Sequence, residues 1–167
     1  SKDFIPVFHS WIQKKSVPDH LLIDVIDYSH IQDGPGIMLI AHEGQVSLDK
    51  ENNLPGLLYL RTSTIEGDFQ KRFEFVFTTL LNTAKLLHNN EIGTNVDFET
   101  KAFRFIANDR LLAENNKDNQ SILSKTFNEI LEKKYPDAKW VIDDYSAMDE
   151  RLAFTIKFQD DTDIIIN

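Results

Sequence analysis

Between Leu21 and Glu43 the chain reads LLIDVIDYSHIQDGPGIMLIAHE, two aliphatic runs parted by Gln32, Asp33, Gly34, Pro35 and Gly36. That pattern predicts a β-hairpin, because β-branched runs favour strands and Gly and Pro punctuate them. Alternate strand residues share a face. Let the loop close over 32–36 with Ile31 opposite Ile37, an ordinary loop length. Tyr28 then faces Ile40, Ile26 faces His42 and Val25 faces Glu43. Asp24, Tyr28, His30 and His42 line one face, with Ile26, Met38 and Ile40 between them. The opposite face, with Ile23, Val25 and Leu39, is the more apolar. A slip of one residue moves His42 across and disperses the cluster.

Upstream, FIPVFHSWIQ over residues 4–13 fits two periods. As a helix it stripes Ile5, Phe8 and Ile12 but places Pro6 in the first turn. The favoured reading is a strand beginning near Phe4, with His9 and Trp11 on one face, broken at Pro18. Downstream, the second hairpin strand is expected to run on through Val46 and Leu48. A polar loop over 49–56 ends in Pro55-Gly56, and LLYLRT over 57–62 forms the next strand. Four consecutive strands with short loops predict an antiparallel meander.

The period then changes. Phe69, Phe73, Val76, Phe77, Leu80, Ala84 and Leu87 form a helical stripe, with Asp68 as N-cap and Asn89-Asn90 at the end. Val96 to Ala107 reads as a strand with a bulge near Lys101. A second helix buries Leu123, Phe127, Ile130 and Leu131 and stops before Pro136. Trp140–Asp144 and Leu152–Phe158 predict a second hairpin. The order ββββαβαββ predicts one α+β domain over 1–167. Its mostly antiparallel sheet of six to seven strands carries two amphipathic helices on one face. Such a sheet is about 34 Å wide, and two helices of about 10 Å each leave much of it uncovered. The hairpin face bearing Tyr28, His30, Met38, Ile40 and His42 is the natural open side, suited to a homodimer contact, a protein partner or a small ligand.

Composition narrows the partners. The 167 residues carry a formal charge of −9, which opposes binding to nucleic acid or anionic membrane. The absence of cysteine excludes disulfides, thiolate zinc sites and thiol catalysis. No apolar run reaches the roughly 18 residues of a membrane span, and the N-terminus lacks a signal-peptide pattern. A cytoplasmic location follows as the expectation.

Two readings of the hairpin chemistry remain. His30, His42 and Asp24 supply two imidazoles and a carboxylate, a donor set that suits zinc or non-haem iron. Tyr28 or Glu43 would then act as acid or base in a metal-assisted hydrolysis. The bland and heavier-weighted alternative is that His30 caps the turn and His42 is a satisfied sheet histidine partnered by Asp24. Asp33, Gly34, Pro35 and Gly36 join antiparallel strands and open no helix, so they are turn residues rather than a phosphate cradle. No G-x-S-x-G elbow supports a serine hydrolase. His20 and His88 are assigned no role, and no cofactor is specified.

The segments FIPVFHSWIQ, DVIDYSHIQDGPGIMLIAHE, PGLLYLR and NDRLLAENN resemble a family of short bacterial proteins with no assigned activity. The resemblance covers about the first 60 residues well. It rests chiefly on Asp27-Tyr28, His30, Gly34-Pro35-Gly36 and His42-Glu43. It implies a self-contained cytosolic protein whose hairpin is the seat of function. The leading expectation is therefore a non-catalytic binding or accessory module using the open sheet face, with the His/Asp enzyme as the alternative.

Overall fold

In the computed structural model, which describes residues 4–32, 34–49, 56–90, 96 and 98–164, Phe4–Lys14 is a helix, α1, rather than the strand its alternation favours. Pro6 lies in the first turn, where its missing N–H has no helical acceptor to lose. The helix buries Val7, Phe8 and Trp11 on one side, with the Phe8 and Trp11 rings 5.2 Å apart, and leaves His9 exposed. His9 and Trp11 therefore share no pocket. The Ser16 amide donates to Trp11 O at 3.0 Å and the Lys15 amide to Ile12 O at 3.3 Å. Lys15 sits at φ 52, so this is a Schellman close with lysine in the usual glycine place.

Four antiparallel strands follow, β1 (Leu22–Asp27), β2 (Ile37–Ala41), β3 (Gly44–Asp49) and β4 (Gly56–Arg61), ordered β1-β2-β3-β4; they match the expected meander in number only, because its first strand is α1 and its third is divided in two. The expected long second strand is two strands, because the chain reverses at His42 and Glu43 and Val46 returns opposite Leu39. The first hairpin is also shorter than the apolar run suggests. Asp27 Oδ1 accepts from the Ser29 amide at 2.9 Å, and Tyr28 N donates to Gly36 O at 2.8 Å. The loop thus begins at Tyr28, and Asp27 rather than Ile31 stands opposite Ile37. Of the turn residues, Gly34, Pro35 and Gly36 lie in this loop, while Asp33 lies outside the described residues, as does Pro55.

The shift of register is even, so the faces keep their parity. Val25, Ile37, Leu39, Val46 and Tyr59 share one face and pack with Val7, Phe8, Trp11, Val17 and Leu87. The stripe over 69–88 is α2 (Phe69–His88), with Asp68 as N-cap accepting from Lys71 N and Asn89 as C-cap. α1 lies against β1 and β2, and α2 against β4. A four-stranded sheet is about 19 Å wide, which two helices of about 10 Å do span.

The single broad sheet is corrected to two. The chain divides into compact units Ser1–Phe98 and Glu99–Asn167, and the described residues form an α+β fold with seven antiparallel strands in two sheets and three helices. The second unit holds β5 (Ala102–Ile106), α3 (Lys117–Lys134), β6 (Trp140–Asp143) and β7 (Ala153–Phe158), with sheet order β5-β7-β6. β5 starts at Ala102, so no bulge at Lys101 is needed. β6 and β7 pair as the alternation predicts, Ile142 opposite Ile156. Phe105, Phe127 and Phe154 form a triangle of rings with centroids 4.9 to 5.4 Å apart. The outer face of the same sheet is polar, with Arg104 bonded to Asp144 at 2.7 Å and Lys157 to Asp143 at 3.1 Å.

Candidate functional site

The hairpin does not assemble the predicted cluster. Asp24 is exposed opposite Ile40, and Ile26 lies opposite Met38. Tyr28 and His30 fall in the loop beyond β1, whereas His42 lies past the far end of β2. Five residues of strand separate the histidine ends, about 13 Å of rise. Met38 is 7% exposed and Ile40 is half-buried, so the face they share is not an open surface. The His42 side chain is 72% exposed, its Nδ1 3.6 Å from Glu43 Oε1. Asp24 Oδ1 is engaged by the Val25 amide at 2.8 Å. Among the described residues no three His, Asp or Glu side chains converge as a metal-binding group.

A histidine given no role is instead the best-connected one. A carbonyl oxygen only accepts, so the 2.7 Å contact between His20 Nδ1 and Pro18 O puts the ring proton on Nδ1. Nε2 then accepts from the Tyr59 hydroxyl at 2.6 Å. Phe75 stacks on the His20 ring at 6.3 Å, and the Arg61 guanidinium lies 5.1 Å from the Phe75 centroid. Burial holds the Tyr59 phenol above its ordinary pKa, opposed by its hydrogen bond with Arg61. The relay ends on a backbone carbonyl that cannot pass a proton onward, and the Glu43 carboxyl close by is itself engaged by the Leu21 amide. Its chemistry is that of a latch, holding residues 18–20 to the sheet and to α2. Sequence alone offers no signal for it, since Tyr59 lies 39 residues from His20.

Glu43 closes the same corner. Its Oε2 accepts from Leu21 N at 2.8 Å, its carbonyl accepts from the amides of Thr62 and Ser63, and the next-door His42 amide donates to Leu21 O at 2.9 Å. The Leu21 hydrogen bond, helped by His20 and His42 nearby, holds the carboxyl below the usual glutamate range. A depressed folded pKa adds stability that is complete above the unfolded value and is lost as pH falls through the folded one. Urea midpoints measured against pH should therefore drop on acidification more steeply in the native chain than in Glu43→Gln. Parallel profiles would remove Glu43 from this role.

The second unit carries an acidic cleft of about 570 Å³ near Asp137, Asp160 and Asp161. Two of these three carboxylates are committed. Asp160 accepts from Lys139 N and from Thr162, and Asp161 pairs with Lys101 at 2.8 Å. A different feature there is unspent. Leu111 and Leu112 are 94% and 87% exposed on a turn fixed by Asp109, whose carboxylate accepts from the Leu111 amide at 2.7 Å and the Leu112 amide at 3.3 Å. At the base of the turn Asn115 bonds Ala147 O at 2.7 Å, and Gln120 bridges Asn115 to the half-exposed Met148. The NDRLLAENN segment holds this turn, and its adjacent leucines are the signal visible in the sequence.

No protein-family model, curated protein or solved structure matches this chain. No helix among the described residues is long and apolar enough to cross a membrane.

Proposed function

We propose that the protein is a non-catalytic binding module that self-associates through the Leu111-Leu112 turn rather than through the face of the first sheet. The supporting observation is the turn itself: two leucines held in solvent by a preorganised carboxylate clamp. Arg110 and Glu114 flank them with opposite charges, so a two-fold apposition sets each arginine against the partner copy's glutamate. Burying a leucine gains about 2 kcal/mol, so four leucines supply about 8 kcal/mol, comparable to the rigid-body cost of association. The dimer is accordingly weak and concentration-dependent.

Sedimentation equilibrium from about 10 μM to about 1 mM tests this. A mass rising toward the dimer, and returning to monomer in Leu111→Ser/Leu112→Ser, is the expected result. A native chain that stays monomeric throughout, or a double variant that dimerises equally well, overturns it. The His/Asp hydrolase reading finds no supporting geometry, because its three side chains lie apart.

A further inference from the structure

The chain holds two methionines and no cysteine. Met38 is 7% exposed and Met148 is 51% exposed, so a dissolved oxidant reaches one thioether and hardly the other. Met148 stands in the loop between β6 and β7, at the first corner of a turn closed by Glu150 N on Ala147 O at 2.9 Å. Beside it, near the start of α3, Gln120 Nε2 lies 3.8 Å from Met148 Sδ and donates to Asn115 Oδ1 at 2.9 Å. The surrounding bonds fix which end of each amide faces which. Asn115 is buried, with its Nδ2 2.7 Å from Ala147 O and 3.1 Å from Ser146 Oγ. A carbonyl oxygen only accepts, so Asn115 turns its nitrogen to that loop and its oxygen to Gln120. Gln120 therefore presents its nitrogen to both neighbours, one proton for Asn115 and the other for the sulfur.

A thioether is a weak acceptor and makes little use of such a donor. Its sulfoxide is polar and makes full use of one. On a bent path, the 3.8 Å between Nε2 and Sδ takes in one S–O bond followed by an ordinary N–H···O hydrogen bond of about 2.9 Å. We propose that Met148 is a reversible oxidation site whose sulfoxide oxygen is received by Gln120. The oxidant is a peroxide. A sulfur lone pair attacks one peroxide oxygen, and the S–O bond forms as the O–O bond breaks. Two electrons pass from sulfur to the peroxide, whose second oxygen takes the proton of the first and leaves as water. One of the two sulfur lone pairs faces Gln120, and attack through it sets the reacting oxygens beside the amide N–H. Attack through the other sends them to solvent. The two routes give opposite sulfoxide epimers, so the donor selects the hand of the product. The new oxygen then ties the β6–β7 loop to α3 through the same amide that holds Asn115, at the base of the Leu111-Leu112 turn.

Exposing the full chain to hydrogen peroxide and mapping its peptides by mass against time tests this. The peptide holding Met148 should gain one oxygen about tenfold faster than the peptide holding Met38. Digesting the oxidised chain and treating it with each of the two epimer-specific methionine sulfoxide reductases then counts the two hands. The native chain should show one epimer in about fivefold excess, the worth of one neutral hydrogen bond. Gln120→Leu should still oxidise at Met148 but give an even mixture. Oxidation of Met38 at the same rate, or an excess undiminished in Gln120→Leu, overturns the proposal. An even mixture from the native chain overturns it too, and leaves Met148 as an exposed thioether with no receiving group.

Discussion

Phe127→Ala should cost about 3 to 5 kcal/mol of stability, the range for emptying a buried aromatic site. Phe127 is fully buried and meets Phe105 at 4.9 Å and Phe154 edge-on at 5.1 Å. Removing it strips α3 of its ring contacts with β5 and β7 and leaves a cavity between two rings that are anchored on strands. The chain reports on this conveniently, having two tryptophans, Trp11 in α1 and Trp140 in β6. Urea unfolding read by Trp140 fluorescence in a Trp11→Phe background, with and without Phe127→Ala, gives the difference. A loss below about 1 kcal/mol would mean that the triangle does not organise the second unit.

Gly36→Ala is expected to be as damaging in the first unit, by a different route. A Cβ there would lie 2.1 Å from the Leu48 carbonyl oxygen, and the residue holds φ +68. The clash is with backbone in the neighbouring strand, so no side chain can swing aside. Relief requires breaking the Tyr28–Gly36 hydrogen bond or moving β3 away from β2, at a cost of at least about 3 kcal/mol when strain and lost pairing combine. Gly56→Ala is the control, because its Cβ meets nothing within 4 Å and should stay within about 0.5 kcal/mol. Similar unfolding midpoints for the two variants would refute the steric account.

What the sequence revealed depended on how far each pattern reached. The stripe from Phe69 to Leu87 repeats over five turns and sits between Asp68 and Asn89, so both length and caps of α2 could be read directly. The alternation of Leu152, Phe154, Ile156 and Phe158 was equally plain because β7 is the centre of its sheet. The α1 segment was harder, since over ten residues the two periods coincide at Phe4, Phe8 and Ile12, and the place of Pro6 decides only once the helix start is known. In the hairpin, parity was legible and register was not. Asp27 folds back on Ser29 and takes Tyr28 and His30 out of the strand, a local choice that the apolar run conceals. The partition into two sheets is tertiary and left no mark on any one segment. The His20 latch joins residues whose proximity only the assembled sheet creates.

Asp24, unsuited to a metal site, has another consequence. β1 is an edge strand, with Leu21 and Ile23 exposed along it, the kind of border on which strands of other molecules stack into fibrils. The Tyr28 amide points inward to Gly36, so by alternation the Val25 amide points outward, and it is this donor that Asp24 covers. The irregularity between Leu22 and Asp24 bends the same border out of line. A carboxylate and a bulge thus shield an apolar margin from cross-β growth.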